Sequence, residues 1–532
     1  MGEGQKTDLK NACLGIEFGS TNIKAVLIGE GNNVLASGSF RWASSFENGY
    51  FTYSMEDVKA GLQAAYREMK EQVKAQYGIT LQRVGCIGIS AMMHGYLAFD
   101  AEDRLLVPFR TWQNTTTTRA AAALSELFSF NIPERWSVSH LYQAVLDDEP
   151  HVGAVARINT LAGYVHYLLT GRFVIGVGDA SGMFPVESDQ PCYDRRMMDL
   201  FREKIREKGL SWDPQEVLPE ILVAGDKAGT LTEAGAALLD PEGDLEAGIL
   251  FCPPEGDAGT GMTATNSIRE NTGNVSAGTS IFSMIVLDKS LKDYYKEIDV
   301  VATPVGKPVA MVHCNNCTND LNAWASLLGE FVGFSEKLAG QESKASEPGT
   351  IYPAIYQKAL EGDADCGGTV VCNYIAGEQV TGIPKGHPMV SRDPEREFKL
   401  ANLCRAFLYS SMVSLKIGMD VLKNEDIRID RLVGHGGLFK NGDVASKILA
   451  SALRSQVCVM ETAEVGGPYG MALLAKYCLQ KEAGESLDQF LEKKVFQEVG
   501  IRTSDPSDEI AVGFDTYTEN FRKLLDTIRK GE

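Results

Sequence analysis

Glu17, Gly19, Ser20, Thr21 and Asn22 stand between two apolar runs, in the stretch GIEFGSTNIKAVLI over residues 15–28. A carboxylate, a glycine, two hydroxyls and an amide at the end of a buried strand suit phosphate chemistry. Gly19 permits an unusual backbone angle between twisted strands. Ser20, Thr21 and Asn22 then offer side-chain donors and backbone N–H groups to phosphate oxygens. Glu17 is placed to hold a magnesium ion through water. A plain hairpin turn is the alternative, because these are also common turn residues.

Three more segments carry compatible chemistry. In CPPEGDAGTGMTA (252–264), Asp257 lies between glycines in a sharp loop after GILFC. As a general base Asp257 would take the proton of a hydroxyl that attacks phosphorus, and it is the second candidate for the magnesium ion. A solvated Asp-Gly turn is the plainer reading. In NVSAGTSIFS, Gly278, Thr279 and Ser280 repeat the glycine-hydroxyl turn. In GHGGLFKNGD (434–443), Gly436 and Gly437 leave room for a nucleobase or ribose. Asn441 either joins them or caps the next helix.

The elements that must position these residues follow from apolar patterning. Strands are expected at 12–18, 23–29 and 33–39, a helix opened by Ser54 at 55–77, and a buried strand at 84–90. The second half repeats the theme with strands within 272–287, then near 299–303 and 308–313. Leu408, Met412, Leu415, Met419 and Leu422 predict a long helix over 396–424 with one apolar side. A strand running into a glycine turn at 430–439, a helix at 443–454, the strand QVCVM and a helix from 467 complete the pattern. Residues 341–395, richer in Gly, Pro and charge, read as an insertion. Two similar turns roughly 260 residues apart imply two related domains packed around a cleft.

The bulk numbers set limits. The 532 residues argue for more than one domain, and 44% hydrophobic content fills substantial cores. Lys and Arg number 51 against 71 Asp and Glu, for a net charge of −20. That balance argues against nucleic acid and anionic membrane as partners. Eleven scattered cysteines and a polar start, MGEGQKTDLK, point to a reducing cytoplasm. Lys6 stands where a myristoylation signal needs Ser or Thr, and Lys6-Thr7 lacks P-loop glycine spacing. Cys314 and Cys317 have the spacing of half a zinc site, but no matching pair accompanies them. In HCNNCTND the asparagines are instead expected to cap a helix beginning near Asp320.

Taken in order, these segments resemble the FGGY carbohydrate kinases. GIEFGSTNIKAVLI is similar to that family's first phosphate motif, EGDAGTG to the segment of its catalytic aspartate, GNVSAGTS to its second phosphate motif and VGHGGLFKN to its adenosine motif. INTLAGYVHYLLTGRFVIGVGDASGMF (158–184) and FKLANLCRAFLYSSM (398–412) resemble two further signatures. SAMMHGYLAFD (90–100) is most similar to the xylulokinases, so Met93 and His94 are expected to face the sugar. TWQN (111–114) implies that Trp112 and Gln113 wall the same pocket. A hydrogen-bonded strand-end histidine and a core tryptophan are the alternatives for His94 and Trp112.

The resemblance implies an α/β fold of two ribonuclease-H-like (actin-like ATPase) domains with a central cleft. It divides the chain into a flexible tail (1–11), a sugar-binding domain (12–265) and a nucleotide-binding domain (266–532). It implies ATP and Mg2+ as cofactors and a sugar as small-molecule partner, xylulose, ribulose or a related ketose or polyol; a homodimer is allowed. Two positions depart from the pattern. Glu17 stands where the family usually has Asp, and Asn114 where Asp is frequent. The first shifts the metal shell outward, and the second alters the charge of the sugar pocket. A non-catalytic actin-like ATP switch and a sugar-sensing pseudokinase are the rival readings.

Overall fold

The computed structural model describes residues 9–188, 190–340, 344–460, 466–497 and 499–531. Residues 1–8 of the expected tail lie outside them. Leu9–Asn11, also assigned to that tail, form a helical turn instead, because Leu9 is buried in the first apolar core.

The chain forms two compact units. The first takes in Met1–Ile268, Val300–Val309 and Val465–Glu498; the second takes in Arg269–Asp299, Ala310–Glu464 and Val499–Glu532. A single division at 265/266 is the expectation from sequence, whereas the units interleave. The reason is local. The helix Gly467–Gln480 packs against strands of the first unit, although it lies far along the chain.

In the first unit, β1 (Cys13–Phe18), β2 (Asn22–Ile28) and β3 (Val34–Arg41) form an antiparallel meander. Cys86–Ala91 pairs parallel to β1, and Leu250–Phe251 and Glu255–Gly256 pair parallel to Cys86–Ala91. β1 and Cys86–Ala91 read as nearly unbroken apolar runs because both are buried, as parallel strands covered on two faces require. α1 (Met55–Tyr77) starts where the Ser54 hydroxyl accepts the Asp57 N–H at 3.0 Å, and ends at Gly78 with φ of 68°. These match the expected strands and helix.

The second unit repeats the scheme. Thr272–Ala277 and Ile281–Val286 form the hairpin, Arg431–His435 runs parallel to Thr272–Ala277, and Gln456–Met460 runs parallel to Arg431–His435. Ile501–Ser504 adds an antiparallel edge. The long helix is Leu400–Asn424, with Leu408, Met412, Leu415 and Leu422 fully buried. It starts later than 396 because Arg396 is drawn to Asp365, at 2.6 Å, and Lys399 is extended. The helix expected near Asp320 spans Thr318–Leu338, but the asparagines do not cap it. Asn315 and Asn316 reach instead to the 376–378 segment, with Asn316 Nδ2 donating to Glu378 Oε2 at 3.1 Å. Cys314 and Cys317 are buried free thiols. No described helix is long and apolar enough to cross a membrane.

Candidate active site

Asp257 opens the helix Asp257–Ala264, directly after the strand Glu255–Gly256. That strand pairs with Ser90 and Ala91, so the chain just beyond them comes beside Asp257. Met93 N–H donates to Asp257 Oδ1 at 3.2 Å. Asp257 is exposed at its own surface, yet surrounding protein removes enough water to push its carboxyl up to about 6. The N–H groups of Met93 and Ala258 oppose that rise by favouring the carboxylate.

Glu17 lies on β1, one pairing step from Ser90. Burial first, and the negative charge of Asp257 second, push it up to about 7; Lys24 opposes them. Its Oε2 is buried without a hydrogen-bond partner. The charge of Asp257 thus reaches Glu17, the other carboxylate that the sequence offers as a cation ligand.

Two further carboxylates belong to this group, and sequence reasoning assigned neither. Asp179, pushed up to about 7 by burial, accepts the Thr160 hydroxyl at 2.6 Å, and its Oδ1 has no partner. Glu255 is pushed up to about 8, by burial and then by Asp179, while N–H groups of Gly256, Asp179 and Gly178 favour its charge. Glycine makes room for it: a Cβ on Gly176 or Gly178 would lie 2.6 or 2.4 Å from its carboxylate oxygens. The signal was present in the acid ending an apolar strand and in the GVGD run.

The first glycine-hydroxyl turn is confirmed in form but not in the role of its glycine. Gly19 is absent from the positive-φ glycines; its N–H closes the turn on Asn22 O at 3.0 Å. What it contributes is space, since a Cβ there would lie 3.1 Å from Asn22 O and 3.5 Å from Glu17 Oε1. Trp42 Nε1 donates to Gly19 O at 2.7 Å and the Tyr53 hydroxyl to Ser20 O at 2.8 Å, with the two rings stacked 4.2 Å apart. These aromatic braces fix the peptide planes of a turn whose Thr21 is exposed. In the second unit, Gly278 O accepts the Thr318 hydroxyl at 2.7 Å, and Thr279 O accepts Cys317 N–H at 3.0 Å. That turn too is held by its carbonyls.

Met93 and His94 are both buried. Met93 lies over Gly256, where a Cβ would come within 2.2 Å of Met93 Cγ. His94 has φ of 69°, stacks on Trp136 at 6.2 Å and puts Nδ1 3.2 Å from Gly182 O. Burial, then Arg135, lowers its proton affinity well below the ordinary value, so the ring is neutral. A carbonyl partner requires the proton on Nδ1, which leaves Nε2 as an acceptor for a hydroxyl. Trp112 is 37% exposed, which excludes a core role, and Gln113 Oε1 is buried without a partner.

Asn114 corrects its expectation. It is 2% exposed and is tied to backbone, donating to Phe51 O at 2.9 Å and Thr111 O at 3.0 Å while accepting Phe51 N–H at 2.8 Å. Its amide therefore clamps the loop that carries Trp112 and Gln113 rather than setting the pocket's charge. Asn114→Asp turns a donor into a carboxylate facing two carbonyls. It is expected to cost about 1–3 kcal/mol of stability and to raise KM for sugar more than it lowers kcat, readable by denaturation and steady-state kinetics.

In the second unit, Gly436 has φ of 102°, and a Cβ there would lie 2.3 Å from Ala277 O, so it serves the close approach of two strands. Nothing stands within 4 Å of a Cβ on Gly437, which is the open one. Asn441 does not cap a helix: Asp443 precedes Val444–Leu453 without a side-chain cap, and Asn441 lies near the Tyr356 hydroxyl, which donates to Leu438 O at 2.9 Å.

Among the described residues, no group of three or more His, Cys, Asp or Glu side chains gathers as a metal site. Glu17 and Asp257 offer oxygen ligands only, one of them an orphaned buried atom. That fits the sparse protein share of a magnesium ion that also takes water and nucleotide phosphates.

Residues 12–243 match the FGGY family of carbohydrate kinases, N-terminal domain, and residues 273–479 match its C-terminal domain. The chain is 23% identical over 421 residues to a xylulose kinase of Haemophilus influenzae, covering 76% of this chain and 78% of that protein. Among solved structures, a xyloylose kinase from Brucella ovis superposes with a TM-score of 0.77 at 18% identity, covering 98% of this chain and 100% of that one. A ligand-bound xylulose kinase from Lactobacillus acidophilus gives 0.77 at 14% identity, covering 98% of each. The fold is that of the actin-like ATPases. This chain belongs to the FGGY family of carbohydrate kinases and is an enzyme that phosphorylates sugar with ATP.

Proposed function

We propose that this kinase phosphorylates a hydroxyl of a ketopentose, xylulose foremost, with Asp257 as the general base. The observation that carries this reading is the 3.2 Å bond from Met93 N–H to Asp257 Oδ1. It ties the segment expected to face the sugar to the base that would take the sugar's proton. His94 Nε2 accepts a sugar hydroxyl, while Trp112 offers an aromatic face and Gln113 its unpartnered Oε1. Gly19, Ser20, Thr21 and Asn22 bind phosphate in the first unit; Gly278, Thr279 and Ser280 do so in the second. Gly437 receives the adenosine, with Gly436 shaping its turn and Asn441 beside it. Glu17 and Asp257 hold magnesium, which when bound neutralises phosphate charge as the phosphoryl group moves. Asp257 takes the hydroxyl proton at its carboxylate as that oxygen attacks. The eleven free thiols suit the reducing cytoplasm.

The xylulose reading also draws on the xylulose kinases to which the chain is similar. A panel of xylulose, ribulose, other ketoses and polyols with MgATP, coupled to ADP release, tests it. Xylulose is expected to stimulate release most. Stronger stimulation by another sugar replaces the substrate, and stimulation by none removes the ketoses and polyols as its substrate class.

A further inference from the structure

The helix Gly467–Gln480 lies closer to its neighbours than side chains ordinarily allow. A Cβ on Gly15 would fall 2.1 Å from Pro468 O and 2.5 Å from Ala472 N. One on Gly470 would fall 1.9 Å from Thr260 O, and one on Gly88 2.4 Å from Met471 Cε. The helix is therefore seated on β1, on Cys86–Ala91 and on the helix that Asp257 opens. Several of these contacts are backbone to backbone, so the helix has no room to shift toward them.

Its first residue meets something different. A Cβ on Gly467 would lie 2.0 Å from Glu17 Oε2, 2.7 Å from Cδ and 3.1 Å from Oε1. The three nearest atoms all belong to one carboxylate, whose Oε2 has no hydrogen-bond donor to hold it. The shape of the helix start, not a bond to Oε2, limits where the group can go. Gly466, with φ of 71°, brings the chain into the helix at this point.

We propose that Gly467 is a positioning residue: the space left by its missing side chain seats the Glu17 carboxylate and sets where it meets a divalent cation. This rests on the reading of Glu17 as a cation-holding group. A methyl at 467 must displace the flexible partner, because the helix is seated elsewhere by backbone. Aspartate at 17 is shorter by one methylene, about 1.5 Å of reach, and withdraws from that methyl. Residues 17 and 467 therefore act as a matched pair.

A double-mutant cycle on the full chain tests this, using melting of the metal-free, nucleotide-free protein and manganese(II) affinity measured by EPR with β,γ-imido-ATP. Alanine favours helix over glycine, so propensity alone would raise the melting temperature of Gly467→Ala. The pair instead predicts a fall of about 2–4 °C and manganese binding weakened about tenfold or more. Adding Glu17→Asp to Gly467→Ala is expected to recover most of both losses. Wild-type values for Gly467→Ala, or a double variant no better than Gly467→Ala, overturn the proposal. Glu17→Ala separates it from the reading beneath: unchanged manganese affinity there overturns the cation role of Glu17, while the melting cycle still decides the steric pairing.

Discussion

Asp257→Asn is expected to lower kcat by a factor of about 10² or more, with ATP affinity and melting temperature close to wild type. Asparagine keeps the shape, and its Oδ1 still accepts the Met93 N–H seen at 3.2 Å. It cannot take a proton, while its neutral amide oxygen can still ligate a cation, more weakly than a carboxylate. The loss should fall on kcat and kcat/KM together, the signature of an interaction made in the transition state. The wild-type pH profile carries the same residue. A base must be deprotonated to act, and this carboxyl is pushed up to about 6. Log kcat/KM for MgATP, which reports the free enzyme, should therefore rise through about pH 6 and level above it. The residual activity of Asp257→Asn should lack that rising limb. Unchanged turnover, or an acid limb that survives the substitution, removes Asp257 as the base.

Much of this was legible because short apolar runs broken by glycine and hydroxyl residues are strong local signals. β1, β2, β3, α1 and the second hairpin lie where patterning put them. Asp257 stood out because few side chains surround it in sequence. Other features depend on partners distant in the chain. Asn114 reads as a pocket residue until Phe51 backbone is found against it. Gly19 reads as a turn former until Glu17 and Asn22 are seen to occupy its side-chain space. Glu255 sits among apolar residues without visible compensation, because Gly176 and Gly178 supply the room and the N–H groups of Gly178, Asp179 and Gly256 favour its charge. The helix at 467 was expected, but its seat on β1 was not, since nothing local to Gly15 announces a helix backbone 2.1 Å from its missing Cβ.

The buried carboxylates make a second large prediction, about stability in the absence of metal and nucleotide. Glu17 and Asp179 are pushed up to about 7 and Glu255 to about 8. Unfolded, each would lose its proton near its ordinary value, about 4. The folded protein thus holds more protons than the unfolded chain from there up to about 8, and these groups make stability fall as pH rises. Buried histidines act oppositely. His140 is lowered to about 3, His166 to about 4, and His94 well below its ordinary value, all first by burial. Each disfavours the fold as pH drops below about 6.5, where the unfolded chain takes up protons. The two effects oppose each other in acid, but as pH rises beyond about 6.5 the histidines become neutral in both states. The carboxylates then act alone among these groups, with Glu255 dominant because its transition lies highest. Stability from denaturant titration is expected to fall by roughly 3 kcal/mol between pH 6.5 and pH 8. Asp179→Asn keeps an acceptor for the Thr160 hydroxyl and removes one charge that raises Glu255. It should flatten the decline. Stability that is level or rising between pH 6.5 and 8 in the wild type would mean that water or a cation reaches these carboxylates in the free protein.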